Sequence, residues 1–175
     1  MDEITSQTRI LTEGILAVAL TIALKDVLPT VRLPQGGSVT AAGMVPLLWF
    51  SLRRGLRSGL QISCIYGLVH MVLRASNIVH PLQALLEYPI AFGALGLAGF
   101  FKNRPLLGVT VGIAARFVAH FLAGVIFWAM WAPEGMHPAI YSAIYNGSFL
   151  IIELIISATI IYVIQKRGLL KIYLI

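Results

Sequence analysis

Six apolar runs fill this chain, and the breaks between them are short. They cover roughly 10–28, 39–52, 56–73, 78–101, 106–131 and 139–164. At ~1.5 Å of rise per residue, five of them are long enough to cross a hydrocarbon core of ~30 Å as helices. The second reaches only ~20 Å by the same rise and needs local thinning or the shelter of its neighbours. Charged residues make up 11% of the chain, against ~25% in an ordinary soluble domain. The expected fold is therefore an all-α membrane protein, a bundle of six transmembrane helices with the second one short. It forms one domain over 1–175. Pro29, Pro34, Gly36 and Gly37 punctuate the first break, Gly55 the second, Asn103 and Pro105 a later one, and Pro133, Gly135 and Pro138 the last.

The basic residues orient the bundle. With six helices, Arg9, Arg53, Arg54, Arg57, Lys102, Arg104, Lys166, Arg167 and Lys171 fall on one face. That face is expected to be cytoplasmic, with both termini inside a cell membrane. A five-helix arrangement, with the short segment re-entrant and the N-terminus outside, satisfies the charges almost as well. The net charge of +6 thus reads as membrane orientation and not as nucleic-acid binding. Cys64 is the single cysteine, so no internal disulfide or cysteine metal cluster can form. The histidines at 70, 80, 120 and 137 lack metal-ligand spacing, and no metal or cofactor is expected. No GxxxxGK[ST], HExxH or GxSxG occurs. With no inverted repeat either, a solute carrier of this size needs a partner to supply energy.

Against this background a few polar and aromatic residues stand out. Glu87 lies about two turns inside the fourth run, where a carboxylate costs ~2.5–3.5 kcal/mol on insertion scales and is a functional candidate by default. His120 and Trp128 lie in HFLAGVIFW, eight residues apart and within ~80° on one helix face. YSAIYNGSF carries Tyr141 and Tyr145 on a shared face, with Asn146 beside them. With Tyr88, these groups converge on the outer half of the bundle. There they can line a pocket for a small cationic ring compound. Trp131 is expected in the interfacial aromatic belt. Arg116 and Glu153 are expected to face each other or other polar groups and to serve structure. Lys25 and Asp26 should snorkel at the outer end of the first helix, and Glu13 should be solvated near its inner end. Ala19 and Ala23 form a small-xxx-small pair that permits close helix approach, within the bundle or to a partner.

The segments PQGGSVT, SLRRGLRSG, EYPIAFGALGLAG, HFLAGVIFW and YSAIYNGSF, taken in order over nearly the whole chain, resemble the thiamine-specific substrate-binding (S) components of the energy-coupling-factor (ECF) vitamin transporters. The resemblance implies a non-enzymatic six-helix membrane subunit that binds thiamine from outside. It also implies a partner module of one transmembrane coupling subunit and two ATPase subunits. Ligand contacts would fall on Glu87, Tyr88, His120, Trp128, Tyr141 and Asn146, with Tyr145 beside them, and partner docking on Ala19 and Ala23. Two features depart from the family. Residues 29–42 lack the tryptophan and the acidic residue that some relatives use in a binding lid. Lid contacts must then come from Gln35, Ser38 or the backbone of Gly36 and Gly37. Ile15 also stands on the first helix where a small docking residue is expected. Three other readings stay open: a subunit for another vitamin or a thiamine precursor, an intramembrane enzyme using Glu87 and His120 as acid and base, and an assembly subunit.

Overall fold

The computed structural model describes residues 3–26, 30–33, 37–40 and 42–170. Among them are six helices and one small hairpin. Helix α1 (Glu3–Asp26) packs through Gly14, Ala17 and Thr21, spaced three and four apart, and turns Leu11, Ile15, Leu16 and Leu20 outward. Strands β1 (Thr30–Arg32) and β2 (Ser38–Thr40) then form an antiparallel pair, with Thr30 opposite Thr40. The hairpin replaces the start expected for the second helix. Helix α2 begins only at Val45, with Pro46 in its first turn, where a missing N–H costs nothing.

Helix α2 (Val45–Arg54) has ten residues, ~15 Å of rise, too short to cross a ~30 Å core by itself. It is nonetheless the most enclosed part of the bundle, with Leu47, Leu48, Phe50 and Ser51 fully buried. Gly55, at φ +96°, joins it directly to α3 (Leu56–Leu73), a turn that a side chain would strain.

Helix α4 (Pro81–Phe101) is irregular. It starts as α-helix, widens to a π turn over Leu86–Ile90, regains α geometry at Ala91–Gly93 and tightens to a 3-10 helix over Ala94–Phe101. Pro89 sits in the π turn and has no N–H to give the preceding turn, which is where a helix widens most cheaply. The 3-10 part lies against the backbone of α3, with Gly96 on Gly59 and Leu60. Helices α5 (Pro105–Phe127) and α6 (Pro138–Lys166) complete the bundle. Five of the six helices are long and apolar enough to cross a membrane. Their outward faces carry large apolar side chains such as Ile126, Ile144 and Ile155.

One expectation at the end away from the hairpin is corrected. Glu13 is not solvated: it is 4% exposed and bridges Arg53 (3.1 Å) and Arg54 (2.5 Å). The two arginines end α2, so this carboxylate ties α1 to α2 where both would otherwise bury charge.

Candidate ligand-binding site

At the hairpin end, α1 and α3 end, α5 ends, and α4 and α6 begin. Between them lies a cavity of about 280 Å³, close to the ~300 Å³ at which small-molecule sites begin. Glu87, Tyr88, His120, Trp128, Tyr141, Tyr145 and Asn146 all line it. The structure therefore brings these seven residues together around one cavity.

Glu87 is fixed from two sides. Trp128 Nε1 donates to Oε1 at 2.6 Å, and Gln83 Nε2 donates to Oε2. Gln83 is fully buried, and its own oxygen accepts the Val79 N–H at 3.2 Å. Both donors are neutral, so the carboxylate is oriented while no ion pair among the described residues meets its charge. The π turn sets its place, because α3 abuts that turn closely. A methyl group on Gly67 would lie 2.6 Å from the Tyr88 carbonyl oxygen and 2.7 Å from Pro89 Cα.

The second wall comes from α5 and α6. Gly124, midway between His120 and Trp128, admits Ser142 and Asn146 so closely that a methyl group there would collide with the serine hydroxyl. Ser142 Oγ donates to the Phe121 carbonyl at 2.8 Å, and Asn146 Nδ2 donates to the His120 carbonyl at 3.3 Å. The asparagine nitrogen thus holds the two helices together, and its oxygen remains for other partners. Along α6, Tyr141 stacks on Tyr145 with centroids 5.9 Å apart, and Tyr145 meets Phe149 edge to face at 6.0 Å. His120 meets Phe149 edge to face, and its Nε2 is buried with no hydrogen-bond partner among the described residues.

Several cavity residues escaped the sequence reading. Phe92 meets Tyr66 and His70 edge to face. The Arg116 guanidinium lies 3.8 Å from its centroid and Lys25 Nζ 5.0 Å. Arg116 was expected to face Glu153 or other polar groups and to serve structure; it lines the cavity, and its Nε and Nη1 are buried with no hydrogen-bond partner among the described residues. Lys25 was expected to snorkel outward, but it also lines the cavity, as do His70 and Arg74. His70 and Arg116 had a readable signal, since each is a polar group inside an apolar run. Gln83 had one too, four residues before Glu87 on the same face. Phe92 had none. Of the expected lid residues, Gly37 and Ser38 line the cavity, and Gly37 N–H donates to Tyr145 Oη at 2.9 Å. Gln35, Gly36 and the Arg32 side chain lie outside the described residues.

Comparison with known proteins now decides the family. Residues 11–172 match the family model described as thiamine transporter protein. The chain belongs to that family. It is 32% identical to the thiamine transporter ThiT of Bacillus subtilis, over 74% of this chain and 75% of that protein. It is 29% identical to the ThiT of Lacticaseibacillus paracasei, over 70% of each. The structure of ThiT from Listeria monocytogenes superposes with a TM-score of 0.82 at 24% identity, covering 93% of this chain and 96% of that one, and shares its fold. Family membership makes the chain a membrane transport protein and not an enzyme.

Proposed function

We propose that this chain captures thiamine on the outer side of the cell membrane as the S component of an energy-coupling-factor importer. It would hand the vitamin inward with a transmembrane coupling subunit and two ATPase subunits. The observation that carries this reading is Glu87, a carboxylate held by Trp128 and Gln83 in an aromatic cavity. Thiamine is a planar aminopyrimidine joined to a cationic thiazolium. A desolvated cation over an aromatic face gains ~2 kcal/mol, and a fixed carboxylate adds to that. The ring nitrogens and amino group need donors and acceptors. Glu87, His120 and the Asn146 oxygen are suited to that role, and Tyr88, Trp128, Tyr141 and Tyr145 offer faces for stacking. Both termini then lie on the cytoplasmic side, with the arginines of α2 and the 102–104 turn. Ala19 and Ala23, exposed on the outward side of α1, are the proposed contact with the coupling subunit.

Titration of the detergent-purified protein with thiamine, followed by tryptophan fluorescence and calorimetry, tests the reading. Saturable binding at sub-micromolar concentration that is lost in Glu87→Gln and Trp128→Ala is the expected result. A folded protein that gives no signal with thiamine would end it and direct the search to other vitamins. A second reading is favoured by Lys25 and Arg74 at the cavity wall. These cations suit an anionic tail, so thiamine phosphate esters should compete with thiamine in the same titration.

A further inference from the structure

Glu153 is 1% exposed and lies on α6, about three turns beyond Tyr141 and one turn beyond Phe149 of the cavity wall. A carboxylate at such a place needs partners, and the nearest cation by chemistry is Arg116, also buried, whose charge it feels. The two do not pair: no Arg116–Glu153 contact occurs among the ion pairs of the described residues. Instead Glu153 Oε1 accepts two bonds from one residue of the hairpin, the Thr40 N–H at 2.5 Å and the Thr40 hydroxyl at 2.7 Å. The Thr40 hydroxyl in turn accepts the Gly43 N–H at 3.1 Å, which fixes the turn into α2.

Thr40 is the last residue of β2, and the same short segment carries Gly37 and Ser38 at the cavity. Two side chains of α6 thus grip the hairpin at its two ends, Tyr145 at Gly37 and Glu153 at Thr40. The grips differ in kind. Tyr145 itself lines the cavity, whereas Glu153 does not. Tyr145 makes a single neutral bond. Glu153 makes a twin charge-assisted bond in a buried place, roughly twice as strong per bond.

We propose that Glu153 is a positioning residue for ligand retention: through Thr40 it latches the 37–40 strand across the cavity without touching the ligand. The proposal rests on the thiamine-binding reading for its ligand, but the latch is a property of the empty protein as well. Weakening it raises the fraction of time the strand is lifted. Ligand then escapes faster while capture is unhindered, so the dissociation rate rises and the association rate holds or rises.

The test uses the full-length protein in detergent with three variants. Glu153→Gln keeps the shape and removes the charge. Thr40→Val removes one of the two bonds from the hairpin side, and Thr40→Ser restores the hydroxyl. Stopped-flow fluorescence gives the thiamine association and dissociation rates. Hydrogen–deuterium exchange of peptides covering 37–44 reports strand lifting with no ligand present. Dissociation should quicken by about 10-fold or more in Glu153→Gln, as for loss of a charge-assisted bond, and by about 2- to 10-fold in Thr40→Val. Association should not slow, exchange should quicken at 37–44 alone, and Thr40→Ser should behave as wild type.

Wild-type dissociation and exchange in both Glu153→Gln and Thr40→Val would overturn the latch. So would faster exchange spread equally over α5 and α6, which would make Glu153 a general packing residue. If the wild type does not bind thiamine and exchange at 37–44 still quickens in both variants, the latch stands and the thiamine reading falls.

Discussion

The two ends of the bundle handle buried charge in opposite ways. At the end bearing Arg53 and Arg54, Glu13 meets two cations at ion-pair distance. At the hairpin end, Glu87 receives only neutral donors, and Arg116 and His120 keep buried nitrogens without partners. The first arrangement pairs opposite charges directly, helix to helix. The second is poised, with polar capacity left over inside an aromatic cavity. A buried charge with its partner at hand holds helices together, whereas one oriented but uncompensated is kept for something that arrives from outside.

The sharpest way to break this contrast is at the paired end. Glu13→Ala leaves two arginines without their counter-charge and should lower stability by about 3–5 kcal/mol. Thermal unfolding in detergent should show it, with thiamine affinity preserved in whatever protein remains folded. Equal loss of affinity would mean that the two ends are not separate. Next in size is Glu87→Gln, where thiamine binding should weaken by about 1.5–3 kcal/mol. Calorimetry should show this while the unfolding midpoint stays near wild type; a large drop in the midpoint would place Glu87 with the structural charges. Trp128→Phe keeps the ring and removes the N–H that steadies Glu87, so affinity should fall by about 0.5–1.5 kcal/mol. An unchanged affinity would leave Gln83 as the sole orienting donor. Smallest is Trp131→Phe, at a residue 52% exposed and outside the cavity. A change within ~0.5 kcal/mol in either property is expected, and a larger one would enlarge the site.

The sequence foretold the bundle because lipid admits few solutions: apolar runs of spanning length must be helices, and their order is the fold. It also foretold the main cavity residues, since Glu87, His120 and Asn146 have no reason to sit in apolar runs unless something there needs them. It misplaced Glu13 because a charge near a helix end can turn outward to water or inward to a partner, and one-dimensional position does not say which. For Glu13 the answer lay about forty residues away, in Arg53 and Arg54. Arg116 and Glu153 were expected to face each other or other polar groups, and Glu153 does meet one, Thr40 of the hairpin, over a hundred residues away along the chain. The hairpin itself was hidden, as its strands are three residues each and leave no alternation to read.

The π turn of α4 carries a consequence for how such a site can change over generations. Geometrically it is one residue more than a regular helix would hold between the same neighbours. Removing a single residue from that stretch would let the turn close into regular helix, with the segments on either side keeping their faces. Only the side chains of the turn itself, Glu87 and Tyr88 among them, would be redirected, while Phe92 and the glycines packed on α3 would stay where they are. In this helix the length of the stretch is as much a determinant of ligand choice as the residues in it, and a shift by one position is enough to erase the site while sparing the fold.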